Sequence, residues 1–156
     1  MRQAYAANTT VSPEKSKAEI ETLLRRYGAD QFVSGWGGDK ALIGFRAAGR
    51  NIRFELTLPS PTDPRFKPKH RTRARSTSEA TAARHEAEVR RRWRALALVI
   101  KAKLEAVSTG ITTFESEFMA HIVMPDGRTV GQHVTPAIEA AYAGGKLRAL
   151  LPEFTS

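Results

Sequence analysis

The spacing of hydrophobic positions along the chain changes period several times, and each change marks an element. From Pro13 to Tyr27 the apolar residues Ala18, Ile20, Leu23, Leu24 and Tyr27 supply the apolar face of a helix. Ser12 offers an N-cap oxygen, Pro13 sits at the first helical position, Glu14 lies where the helix dipole is positive, and Gly28 suits the left-handed stop. The period then becomes two. Phe32, Ser34 and Trp36 alternate with Gln31, Val33 and Gly35, which predicts a strand over Gln31 to Trp36 followed by the turn residues Gly37-Gly38-Asp39. Lys40 to Ala47, with Leu42, Ile43 and Phe45, predicts a second strand, and Ala48-Gly49-Arg50-Asn51 a second turn. In the third run Ile52, Phe54, Leu56 and Leu58 alternate cleanly with Arg53, Glu55 and Thr57, one apolar face against one polar face. Short turns make these three strands an antiparallel meander.

Pro59, Pro61, Pro64 and Pro68 interrupt regular structure before the longest helical pattern, expected from Ser78 to about Ser108. On a helical wheel Val89, Trp93, Leu96, Ile100, Leu104 and Val107 form a stripe about 80° wide, close to heptad spacing. That stripe must bury itself against the sheet or against a second copy of the chain. Beyond it, Phe114, Phe118, Ile122 and Val123 fit a strand or a helical turn equally well. Pro125-Asp126-Gly127-Arg128 is a turn, Thr129 and Val130 fit a short returning strand, and Thr135-Pro136 is expected to start a last helix through Tyr142, ended by Gly144-Gly145. Leu147, Leu150, Leu151 and Phe154 are expected to dock the terminus. The order predicts one α+β domain over residues 1–156: a helix and β-meander (11–58), a basic Pro-rich arm (59–78), a long amphipathic helix (79–109) and a C-terminal hairpin and helix (110–156).

Charge adds the partner to this picture. Between Arg65 and Lys103 the chain carries thirteen Lys and Arg against three acids, whereas all other positions together hold twelve basic and thirteen acidic residues. The whole formal charge of +9 thus belongs to one region. A focused basic patch points to a polyanion, most often nucleic acid. Lys67, Lys69, Arg71, Arg73 and Arg75 fall on every second residue, so in an extended chain they would form a comb with roughly 6.6 Å between teeth, ordering on the polyanion from a disordered free state. Arg84, Arg90, Arg91 and Arg94 extend the same surface along the helix. Among the aromatic residues, Trp36 stands between glycines and is open to stacking by a flat base, while Tyr27, Phe32, Phe45, Phe54 and Trp93 read as core.

Other chemistry finds less support. The chain has no cysteine, which excludes disulfides and thiol chemistry, and its longest apolar run, Ala95 to Ile100, is far too short to span a bilayer. It reads as a cytoplasmic protein with no membrane contact. Glu115, Glu117, His121, Asp126 and His133 are a candidate metal or catalytic set, but no short ligand spacing such as H-E-x-x-H is present. Gly35-Trp36-Gly37-Gly38 fits a hairpin better than a phosphate cradle. The expectation is a non-catalytic protein without cofactor or metal, binding DNA or RNA without sequence specificity, single strands preferred, with homo-oligomers possible. The alternative is a protein-interaction module or inhibitor that meets an acidic protein surface.

The stretch from Arg92 to Val130, RWRALALVIKAKLEAVSTGITTFESEFMAHIVMPDGRTV, resembles small phage and prophage proteins of unknown function. From Gln31 to Ser108 the order of three strands and a long basic helix is similar to the core of single-strand annealing recombinases. That resemblance concerns topology alone, and it implies a single-stranded DNA groove and assembly into rings or filaments, in phage recombination or replication.

Overall fold

The computed structural model describes residues 6–68 and 74–145, the side chains of 74–76 excepted. Three strands, β1 (Gln31–Gly37), β2 (Lys40–Ala47) and β3 (Arg50–Thr57), pair antiparallel in the order β1-β2-β3. Helix α1 (Pro13–Arg26) precedes them, and α2 (Ala74–Ser108), α3 (Phe114–Phe118) and α4 (Val130–Gly144) follow. The fold is α+β, and no helix among the described residues is long and apolar enough to cross a membrane.

Local chemistry sets most boundaries. Ser12 caps α1 by accepting from Lys15 N, with Pro13 in the first turn. The β2–β3 turn is a two-residue connection in which Ala48 and Gly49 both have positive φ, 50° and 72°. Such a turn matches the right-handed twist of the strands, and Gly49 meets its conformational demand without cost while Ala48 does not.

One sheet face carries the core. Pairing sets Phe45 opposite Ile52, Ile43 opposite Phe54 and Phe32 opposite Phe45, so these side chains share a face. Ile20 and Leu24 of α1 and Trp93, Leu96, Ala97, Ile100 and Leu104 of α2 cover it. The α2 stripe therefore buries itself against sheet and α1, with Val89 and Val107 at its ends. Phe118 of α3 closes the far end, edge-on to both Phe45 and Phe54.

The tail then crosses the β3 edge. Ile122 bridges Ile52, and Val123 N donates to Asn51 O. The expected C-terminal hairpin is reduced to a single bridge, Val123 to Thr129. The last helix starts at Val130 rather than at Thr135-Pro136, because Thr129 and Gln132 form a reciprocal capping box. Pro136 thus lies inside the helix. Lacking an N–H, it leaves the carbonyl of Gln132 without its helical donor, and Arg128 Nη2 supplies one at 2.8 Å. Gly131 passes so close to Ala120 O that a Cβ would stand 2.9 Å from it. Beyond Gly131 α4 leaves the body, and Val134, Ile138 and Tyr142 make an exposed apolar stripe at i, i+4, i+8. Leu147, Leu150, Leu151 and Phe154 lie outside the described residues.

The long helix also starts earlier than expected, at Ala74 rather than Ser78. Arg75 is therefore helical and departs from an extended comb. The proline-rich arm up to Pro68 is held against α2, against the expectation of disorder: Asp63 caps the 3₁₀ turn Pro64–Phe66, Phe66 is buried edge-on to His85, and His85 Nε2 donates to Pro59 O at 2.9 Å. Two substitutions test these local arguments. Replacing Ala48 by Gly should stabilise the protein by ~1 kcal/mol, and Ser16→Ala should be neutral or stabilising by ~1 kcal/mol, because the buried Ser16 hydroxyl has no partner among the described residues. Urea midpoints measure both, and destabilisation by either would refute the corresponding assignment.

Candidate nucleic-acid interface

The basic residues of α2 are of two kinds, distinguished by what holds them. Glu88 binds both Arg91 and Arg92, at 2.6 and 3.0 Å. Burial raises the pKa of its carboxyl, but the bonds and charges of the two arginines outweigh that and leave it below the ordinary value. Arg92 also donates to Thr57 O at 2.6 Å, tying α2 to the end of β3. Arg94 pairs with Glu19 and ties α2 to α1, and Lys103 pairs with Glu117 at 3.0 Å and ties α2 to α3. Arg92, Arg94 and Lys103 thus link α2 to β3, α1 and α3, Arg91 is held within the helix by Glu88, and the charges of all four are partly neutralised.

The other cations have no acid among the described residues. Arg84 Nη1 donates to the backbone carbonyl of Lys67 at 3.2 Å, which ties the arm to α2 and occupies only part of one guanidinium. Arg90 bonds no described carboxylate, and its buried Nε has no partner among the described residues. Lys67 follows the 3₁₀ turn in extended backbone. Lys69, Arg71 and Arg73 lie outside the described residues, as does the side chain of Arg75.

Trp36 is 81% exposed. Register puts it on the core face, opposite Ala41, but on the edge strand. On the opposite face of the strand, Gly35 and Gly37 also stand in open space. Gly37 pairs with Lys40 and Lys40 with Thr57, whose carbonyl Arg92 reaches, so the β1–β2 turn lies at the end of the sheet where the basic arm joins α2. Phe45, Phe54 and Trp93 are buried, Phe32 and Tyr27 pack against the core, and the Tyr27 hydroxyl lies 3.0 Å from Glu105.

The candidate metal set does not converge. Glu115 pairs with Arg50, Glu117 with Lys103 and His133 with Asp126, while His121 stacks on Phe54 at 3.9 Å between ring centroids. No group of three potential ligands lies together among the described residues. The tail forms instead a groove of about 840 Å³ against β3. There Arg53 donates to Gly127 O at 2.9 Å and to Gln132 Oε1 at 3.3 Å, and Gln132 reaches Glu55. Sequence patterns alone gave no sign of this network or of the Arg94–Glu19 pair, since both join residues more than seventy positions apart; only the Thr129-x-x-Gln132 spacing marked part of it.

No family model matches the chain, and no curated protein or solved structure is detectably similar to it. Charge placement and side-chain geometry carry the functional reading.

The site has a pH signature. Burial lowers the His121 pKa, the nearby Lys103 charge lowers it further, and a backbone hydrogen bond involving Arg53 opposes them less strongly. A histidine whose folded pKa is depressed contributes stability that is complete above the unfolded value, here 6.5, and is lost as pH falls toward the folded value. Urea midpoints should therefore drop as pH falls below 6.5, and His121→Phe should flatten that slope. An identical slope in the variant would remove His121 as its source. Arg94→Ala should cost ~1 kcal/mol through loss of the Glu19 pair, and an unchanged urea midpoint would show that this pair does not stabilise the fold.

Proposed function

We propose that the chain is a non-catalytic nucleic-acid-binding protein that contacts phosphates without sequence specificity and prefers single strands. The observation that carries this reading is the group of cations without described acid partners, Lys67, Arg84 and Arg90, at the end of the sheet where Trp36 stands exposed. Lys69, Arg71, Arg73 and Arg75 extend that group in sequence. Dispersed cations neutralise phosphates and release counterions, which requires no exact spacing, and an open indole flanked by glycines offers a stacking surface that every base can use. Arg91 and Arg94 have a smaller part in this reading than their charges alone suggest, since Glu88 and Glu19 already occupy them.

A second reading is a protein-interaction module that meets an acidic protein surface, favoured by the exposed Val134, Ile138 and Tyr142 stripe of α4. The two separate in one experiment. Fluorescence anisotropy of single- and double-stranded DNA and RNA is measured across a salt series for the native chain and for a variant carrying K67Q, K69Q, R71Q, R73Q, R75Q and R84Q. The native chain should bind single strands more tightly than duplexes, and the variant's salt slope should fall by ~0.7 per lost phosphate contact. Trp36→Ala should weaken single-strand binding by ~1–3 kcal/mol with the slope unchanged. An unaltered slope in the multiple variant would refute the basic segment as the interface, and weak salt-insensitive binding by the native chain would favour the protein partner.

A further inference from the structure

Helix α2 is apolar on two sides. Opposite its buried stripe, at roughly 150° around the helix, Ala95, Leu98, Val99 and Ala102 line an open groove rimmed by Glu88, Arg91, Arg92, Lys101 and Glu105. Val99 is 45% exposed, and nothing among the described residues covers this face except Ala6 at its margin. The spacing across it is palindromic. Outward from a point between Leu98 and Val99, every third residue reads Ala95 and Arg92 in one direction, Ala102 and Glu105 in the other. An isologous contact requires this kind of self-complementarity, in which each residue meets its symmetry counterpart.

We propose that this face of α2 is a homodimer interface, with two copies of α2 packed antiparallel about a two-fold axis beside Leu98 and Val99. In that arrangement Leu98 meets Val99 of the second copy, Ala95 meets Ala102, and Arg92, whose Nη2 is not taken by Glu88 or Thr57 O, lies alongside Glu105. The alanines permit close approach of the two backbones. A parallel pairing would instead set Arg91 and Arg92 against their own copies, a like-charge cost that the antiparallel pairing avoids. The stripe from Val89 to Val107, which also has heptad spacing, is occupied by the core and takes no part. A contact one helix wide lies at the low end of stable interfaces, so the dimer is expected to dissociate in the micromolar range. It would carry the two basic arms at opposite ends, with about 40 Å along the axis from Arg84 to its copy. The inference does not depend on nucleic-acid binding.

The test is light scattering and sedimentation of the full, nuclease-treated chain from ~1 to ~200 µM. The mass should rise with concentration from 17.2 kDa toward twice that value, and Val99→Glu, a change at an exposed position, should raise the dissociation constant at least ~10-fold with an unaltered circular-dichroism spectrum. Because the chain has no cysteine, the A95C/A102C variant reports the geometry. The two positions are about 10 Å apart on one helix, too far for an internal disulfide, so mild oxidation should give a covalent dimer that neither single variant gives. A native mass fixed at 17.2 kDa overturns the proposal and leaves the groove to the residues before Ala6 or to another protein. A dimer that survives Val99→Glu, or a cross-link formed by A95C alone, overturns it as well.

Discussion

Burial of the Trp93, Leu96, Ile100 and Leu104 stripe on a single sheet face is the constraint on which everything else depends. The sheet has only three strands, and its apolar residues are concentrated on one side, so α1 and α2 must both settle there. Once α2 is seated, its length does the rest. At about 1.5 Å per residue a helix of this size reaches well past the sheet, and the same rigid element that fills the core projects the basic region outward. Core and basic region are two stretches of one helix.

The ion pairs follow from that seating. Glu88 on α2 itself, Glu19 on α1 and Glu117 on α3 each take up arginine or lysine charge that would otherwise face solvent, and Arg92 also reaches Thr57 O of β3. Along the helix Arg91, Arg92, Arg94 and Lys103 are paired, whereas Arg84, Arg90 and Lys101 have no acid partner among the described residues. Self-repulsion in so basic a segment is eased because three of the four arginines in its most crowded run, Arg91, Arg92 and Arg94, have acids at hand.

Much of this was legible in the sequence. The meander could be read because each strand has period-two alternation and each turn has its glycine, and α1 because Ser12-Pro13-Glu14 gives three independent start signals. The buried stripe of α2 was visible at heptad spacing, but its second apolar face was hidden among short alanines that weigh little in a pattern. The start of α4 was misjudged because Thr135-Pro136 imitates a helix start. Thr129 and Gln132 already supplied the cap, and Pro136 is accommodated because Arg128 serves the carbonyl it leaves free. The division of the arginines into paired and unpaired was not legible, because it depends on contacts such as Arg94–Glu19 that only the folded chain creates. Trp36 is open as expected, because it stands near the end of the edge strand opposite the small Ala41.

The path of the tail over β3 has a further consequence, for solubility. A three-stranded sheet has two edges whose unpaired amides can template addition of a foreign strand. Ile122 and Val123 occupy part of the β3 edge, and β1 is left as the open one among the described residues. That strand carries Gly35 and Gly37, which weaken it as a template for growth. Proteolytic loss of the segment after α3 would uncover the β3 edge as well, with Ile52, Phe54 and Leu56 in alternation, and leave both edges of the sheet open to an added strand. The C-terminal segment thereby shields part of the β3 edge from edge-to-edge pairing.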